Sequence, residues 1–271
     1  MTWDPPRPQF HALLARLNFI SSWACARLRP ALLVLGIVLG LVPSTAPARL
    51  RSALLVFGII LGLSGLWMLL PELLRAKPIG LAFDRASADA AAAHRTGAVL
   101  AAEIGVIRGD LWAEAAFTGA RFMWTPRSTI HDWTNHGQLA RARADAETAL
   151  ALAPVNGAAW LFLAKLPAVS PEAENRVRTL LEMSYFTAPN ALSLAPWRLE
   201  RAATSSALAD KDFQAFIKGD IRGVLDRGPE YRQAIIAAYR NAWPQNKPIF
   251  ESLVADADPA MAQLLRSGQP K

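Results

Sequence analysis

Two stretches of the chain have no polar face. Residues 53–70 read ALLVFGIILGLSGLWMLL, eighteen positions without a charge. At about 1.5 Å per residue such a helix is roughly 27 Å long, close to the hydrocarbon thickness of a bilayer. Arg49 and Arg51 precede it, and Trp67, Pro71, Glu72, Arg75 and Lys77 mark its far end, residue types that suit a membrane interface. The pattern predicts a transmembrane anchor over 53–75, behind a basic tail of residues 1–52. Within that tail, ALLVLGIVLGL at 31–41 matches ALLVFGIILGL at 53–63 in nine of eleven positions. Pro30 and Pro43 confine this copy to fourteen residues, short for a span. Residues 31–43 therefore read either as a second span or as a signal-like segment ending near Ala46-Pro47-Ala48, and one full span is favoured. Gly36 with Gly40 and Gly58 with Gly62 have the spacing that lets membrane helices approach closely, which makes Gly58 and Gly62 candidates for membrane-helix packing.

After a linker over 76–84 the pattern changes to three-four spacing broken by Pro and Gly. Leu139, Ala142, Ala146, Ala149 and Leu150 fall on one helix face, as do Phe213, Phe216, Ile217, Ile221, Val224 and Leu225, and Tyr231, Ala234, Ile235 and Ala238 continue the series. No two-residue alternation bounded by hairpin turns occurs, so the fold class is all-α. The C-terminal part, 209–271, is expected to form a cap with helices over 210–227, 229–242 and 247–267, the last broken near Asp258-Pro259.

The region 85–208 contains a repeat. Ala153-Pro154-Val155-Asn156 recurs as Ala188-Pro189-Asn190, with Pro154 and Pro189 35 positions apart (189 − 154). Ala142, Ala149 and Pro154, followed by Trp160, Leu163 and Ala164, resemble the junction between two tetratricopeptide repeats. Proline ends one helix there, and an aromatic residue plugs the neighbouring hairpin. Arg108-Gly109-Asp110-Leu111-Trp112-Ala113-Glu114-Ala115 resembles the turn inside one such unit, with one extra residue. Pro167 and the long stretch from Thr125 to His136 depart from the family pattern, so the resemblance implies a degenerate array of helical hairpins rather than a regular superhelix. It also implies a binding function, with a protein partner in the bacterial envelope, for example in polysaccharide or secretion machinery.

Charge sharpens the topology. Residues 1–70 carry six Arg against one Asp (+5), and residues 71–271 carry 23 Lys and Arg against 21 Asp and Glu (+2), which together give the net +7. The basic excess lies before and around the apolar segments, where it favours a cytoplasmic N-terminus. One span then puts the C-terminal domain in the periplasm, on the far side of a bacterial inner membrane, and two spans return it to the cytoplasm. The folded part has no basic run or reader motif of the kind nucleic-acid binding needs. Cys25 is the single cysteine, so a disulfide within the chain and a cysteine zinc site are excluded.

His131, Asp132 and His136 are the one local group resembling metal ligands, but their turn-rich setting STIHDWTNHG does not put both imidazoles on one helix face. Phosphate loops and the G-x-S-x-G and H-E-x-x-H motifs are missing, and the close carboxylates Glu172 with Glu174 and Asp210 with Asp212 stand where helices start and suit capping. The expectation is a non-enzyme without catalytic, cofactor or metal residues, whose partners are the lipid bilayer and an unidentified protein. Trp112, Trp124 and Trp133 cluster around the irregular stretch, where core packing is the simpler role and a partner surface the alternative. Arg198 and Arg201, one helical turn apart, are further candidates for that surface. A second reading makes the chain a structural subunit of a membrane complex, packed through its glycine-bearing helices, and a third an envelope enzyme.

Overall fold

The computed structural model describes residues 48–75, 77–82, 84–124, 133–167, 176–228 and 231–268. The apolar copy at 31–43, Cys25, His131, Asp132, Glu172 and Glu174 lie outside the described residues. The chain divides into two compact units, residues 1–74 and 75–271.

In the first unit, α1 runs from Ala48 to Leu74. Its 23 residues Ser52–Leu74 have a mean hydropathy of 2.4, long and apolar enough to cross a membrane. Apolar side chains face outward on every side, with Phe57 59% and Leu63 62% exposed. A helix apolar all round has no water-facing stripe, which is what hydrocarbon surroundings require. The Ser64 hydroxyl donates to Ile60 O at 2.8 Å, which satisfies it inside its own helix.

Every regular element described in the second unit is helical: α2 (Arg85–Ala93), α3 (Arg95–Gly105), α4 (Gly109–Phe117), α5 (Trp133–Leu152), α6 (Gly157–Lys165), α7 (Val177–Thr187), α8 (Ala195–Ala203), α9 (Lys211–Leu225), α10 (Arg232–Asn241), α11 (Lys247–Ala255) and α12 (Pro259–Ser267). Side-chain caps set several starts. Asp84 and Ser87 form a capping box on α2, Asn156 accepts from Ala159 N on α6, Asp210 from Asp212 and Phe213 N on α9, and Asp258 from Ala260 and Met261 N on α12. The core is alanine-rich, with larger groups such as Phe122, Phe162, Leu181, Phe213 and Phe250 set among buried alanines. Phe117 meets Phe162 edge-on at 5.6 Å between α4 and α6.

One arrangement occurs twice. α4 begins on Gly109, where a Cβ would lie 2.7 Å from Ala153 Cβ and 2.9 Å from Ala149 O at the end of α5. α6 begins on Gly157, where a Cβ would lie 2.5 Å from Ala188 Cβ and 3.0 Å from Ser184 O at the end of α7. Three residues into each helix a tryptophan reaches back over the N-terminus: Trp112 Nε1 donates to Val106 O at 3.1 Å and Trp160 Nε1 to Pro154 O at 2.8 Å. Ala153 and Ala188 each precede the proline that stops the chain from continuing as helix. The hairpins α4–α5 and α6–α7 are thus equivalent. Their first helices start 48 residues apart (157 − 109) and their ends lie 35 apart (188 − 153), so the first hairpin holds 13 more residues, most of them in α5, which at 20 residues is longer than the 11-residue α7. By this equivalence the segment from Arg108 opens a hairpin. It is also the turn between α3 and α4, in keeping with the sequence expectation of a turn between two helices.

The C-terminal part is tied on through polar groups. Asn246, 2% exposed, donates Nδ2–H to Ala203 O at 2.9 Å and to Ser205 O at 2.7 Å, and Trp243 N donates to Ala203 O at 3.1 Å. These bonds satisfy carbonyls that the end of α8 leaves open and join them to the α10–α11 connection.

Candidate functional site

The residues singled out from the sequence fall on several different elements. Gly58 and Gly62 lie one turn apart on α1, and a Cβ on Gly62 would meet nothing within 4 Å. Trp112 is half-buried against the core and bonded to Val106 O, so it fastens the α3–α4 turn. The backbone puts Trp124 at the end of a 3₁₀ turn and Trp133 at the start of α5, and the side chains of both lie outside the described part of the structure. Arg198, a candidate for the partner surface, is instead buried at 0% exposure. Its Nε donates to Ser184 Oγ at 3.0 Å, its Nη2 to Ser184 O at 2.6 Å and Ala188 O at 2.9 Å, and the guanidinium lies 4.4 Å from the centre of the Tyr185 ring. Arg201 is half-buried, donating Nε–H to Ala164 O at 2.6 Å and Nη1–H to Thr204 O at 3.0 Å. Both arginines donate to carbonyls at or just past helix ends, and Ser184 O and Ala188 O accept from Arg198 in addition to the backbone N–H groups of Ala188 and Ala191, a task that suits a planar fork with five N–H groups. One-turn spacing in the sequence does not reveal where the forks point.

The structure instead brings aromatic residues together around two adjoining hollows. The first, 570 Å³, lies between the end of α7, the turn after it, and α9, with Tyr185, Phe186, Asn190, Phe216, Gly219 and Asp220 in its lining. Tyr185 and Phe216 stack at 5.1 Å with 17° between their planes, and Phe186 meets Phe216 edge-on at 5.5 Å. Phe186 is 67% exposed, an unusual position for so large an apolar ring. Asp220 is 4% exposed and accepts a hydrogen bond from the Tyr185 hydroxyl at 2.7 Å on Oδ2. Burial pushes the Asp220 carboxyl up to about 6, against the opposing pull of the Tyr185 hydroxyl and the more distant Arg198 charge. Burial and then the Asp220 charge push the Tyr185 phenol well above its ordinary value.

The second hollow, 480 Å³, lies between α8 and α10 and shares Leu192 with the first; Trp197, Glu200, Arg227 and Tyr231 are in its lining. Behind it Lys165 is bonded to Glu200, its ammonium 3.3 Å from the centre of the Trp197 ring, and Asn241 Nδ2 donates to Glu200 Oε1 at 3.2 Å. Burial brings Lys165 down to about 8, with Glu200 opposing. The two hollows adjoin at Leu192, and each combines aromatic rings with charged groups at a few fixed points. That composition is typical of sites that bind apolar and charged groups together. Among the described residues, no three His, Cys, Asp or Glu side chains come together as metal ligands would.

Sequence reasoning missed Tyr185, Phe186 and Asp220. A signal for Asp220 was present. It sits four residues after Phe216 and four before Val224, a carboxylate set into the apolar face of α9. A scan against protein-family models finds no match for this chain, and comparisons with curated proteins and with solved structures find none either.

Proposed function

We propose that the chain is a single-pass protein of a bacterial inner membrane whose hairpin domain, similar in plan to tetratricopeptide arrays, lies in the periplasm and binds a protein partner in its aromatic groove. The observation that carries the reading is the groove itself, two hollows meeting at Leu192 with the exposed Phe186 ring at one of them. Stacked hairpins of this kind expose extended surfaces suited to recognition. The apolar helix α1 supports an anchor that confines encounters to the membrane plane and so raises the effective concentration of a membrane-associated partner. Its basic flank and the basic tail support a cytoplasmic N-terminus and a periplasmic domain, and an enzyme-reporter fusion after Lys271 reads that side directly.

The exposed, all-apolar surface of α1, with open space beside Gly62, favours a second reading in which this helix packs into a membrane complex. Affinity purification of the full chain in mild detergent separates the two. Under the groove reading, Phe186→Glu loses the copurifying partner and Gly58→Leu/Gly62→Leu keeps it. The opposite result transfers the function to α1, and a partner retained by both variants removes the groove from the account.

A further inference from the structure

Asp220 is a buried carboxylate whose position the fold alone does not explain. Its Oδ2 takes the Tyr185 hydroxyl, and among the described residues no other group donates to it. Arg198 acts on it through its charge without a hydrogen bond, with Nε and Nη2 taken by Ser184 and Ala188. A buried carboxylate without a cation in contact is costly, and proteins usually pair it. Here it borders a 570 Å³ hollow instead. Tyr185, Phe186 and Phe216 line one side, which makes that wall apolar. Leu192 and Ala215 add apolar wall, and Gly219, with nothing within 4 Å of a built Cβ, leaves the rim above Asp220 open.

We infer that the hollow between α7 and α9 receives one basic side chain, a lysine or arginine, from the partner protein. Its aliphatic stem lies along the aromatic rings and its cationic head meets Asp220. The shape and charge match. A lysine or arginine is an apolar stem with a cation at its tip, and the hollow is an apolar slot with an anion in its lining. A bare metal ion would need several oxygen ligands, and the hollow offers one carboxylate. The inference rests on the groove reading proposed above and adds to it the chemistry of the partner.

The test titrates the full chain, held in zwitterionic nanodiscs, with four acetylated and amidated pentapeptides identical except for a central lysine, arginine, norleucine or glutamate, read by saturation-transfer NMR. The lysine and arginine peptides are expected to bind, and the norleucine and glutamate peptides to bind about tenfold more weakly or not at all, the difference expected for one charge-assisted contact. Asp220→Asn is expected to erase the preference. In the unaltered chain the preference should also fall by about tenfold between pH 7.5 and pH 5, as a carboxyl near 6 becomes protonated. The titratable and charged groups acting on Asp220 are Tyr185 and Arg198, and both keep their charge state across that interval. Equal binding of the norleucine and lysine peptides, binding of none of the four, or a preference unaffected by Asp220→Asn and by pH would overturn the inference. If any of these occurs while Phe186→Glu still abolishes partner copurification, the groove reading stands and only the basic side chain is withdrawn. If copurification survives Phe186→Glu, the groove reading itself is lost.

Discussion

Replacing Asp220 by asparagine should make the protein more stable near neutral pH. The amide has the shape of the carboxylate and keeps an oxygen to accept from Tyr185, so the substitution chiefly removes a buried charge. Burial raises the carboxyl from 3.8 to about 6, and a shift of about two units corresponds to roughly 3 kcal/mol at about 1.4 kcal/mol per unit. A carboxyl with a raised folded value favours folding only while protonated. That contribution is complete below 3.8 and is lost as pH rises through about 6, so above 6 the ionised group opposes folding. The variant also gives up the distant attraction of Arg198, and an amide in the same place is not free of desolvation. A net gain of about 1–3 kcal/mol is expected at pH 7.5, or about 3–10 °C in melting temperature for a domain of this size. Thermal melts of the full chain in nanodiscs, followed by near-UV circular dichroism from pH 4.5 to 8, should show the gain shrinking toward zero at the acid end. A less stable variant at pH 7.5, or a gain that does not change with pH, would refute the reasoning.

The twin hairpin contacts make a matched pair of predictions. Gly157→Ala and Gly109→Ala put a Cβ 2.5–2.7 Å from an alanine methyl and about 3 Å from a carbonyl oxygen, so each should cost about 1–3 kcal/mol in denaturant unfolding. Gly219→Ala, on an open helix face, should be neutral or stabilising by up to about 1 kcal/mol. Asn246→Ala removes both side-chain bonds to the end of α8 and takes the donor from Ser205 O, while Ala203 O keeps Trp243 N, which should cost about 1–3 kcal/mol, read as a lower denaturant midpoint. In α1, Gly58→Leu with Gly62→Leu should leave the melt of the second unit unchanged and abolish any self-association of the helix in a two-hybrid membrane assay.

What the sequence made legible follows from its periodicities. The eighteen uncharged positions 53–70 lie within α1, and the three-four spacing after 209 predicted helices over 210–227, 229–242 and 247–267 with a break near Asp258-Pro259. The structure has α9 at Lys211–Leu225, α10 at Arg232–Asn241, and α11 and α12 at Lys247–Ala255 and Pro259–Ser267, with Asp258 as the cap at the break. Helix faces and caps are local, so a local pattern predicts them. The site depends on contacts between distant residues. Tyr185 and Asp220 are 35 residues apart in sequence, and Arg198 looks the same on paper whether it faces solvent or closes the end of another helix. The paired stretches Ala153-Pro154 and Ala188-Pro189 stand out in the sequence, and each follows the last helix of a hairpin. The hairpin register came only from the close approach of Gly109 and Gly157 to those alanines.

The most direct measurement puts a photoreactive amino acid in place of Phe186 in the full chain and illuminates intact cells, with Ala140, exposed on α5, as the control position. The account predicts one discrete protein adduct from position 186, absent from position 140 and competed by an excess of the unlabelled chain. No adduct from 186, or the same adducts from both positions, would contradict it.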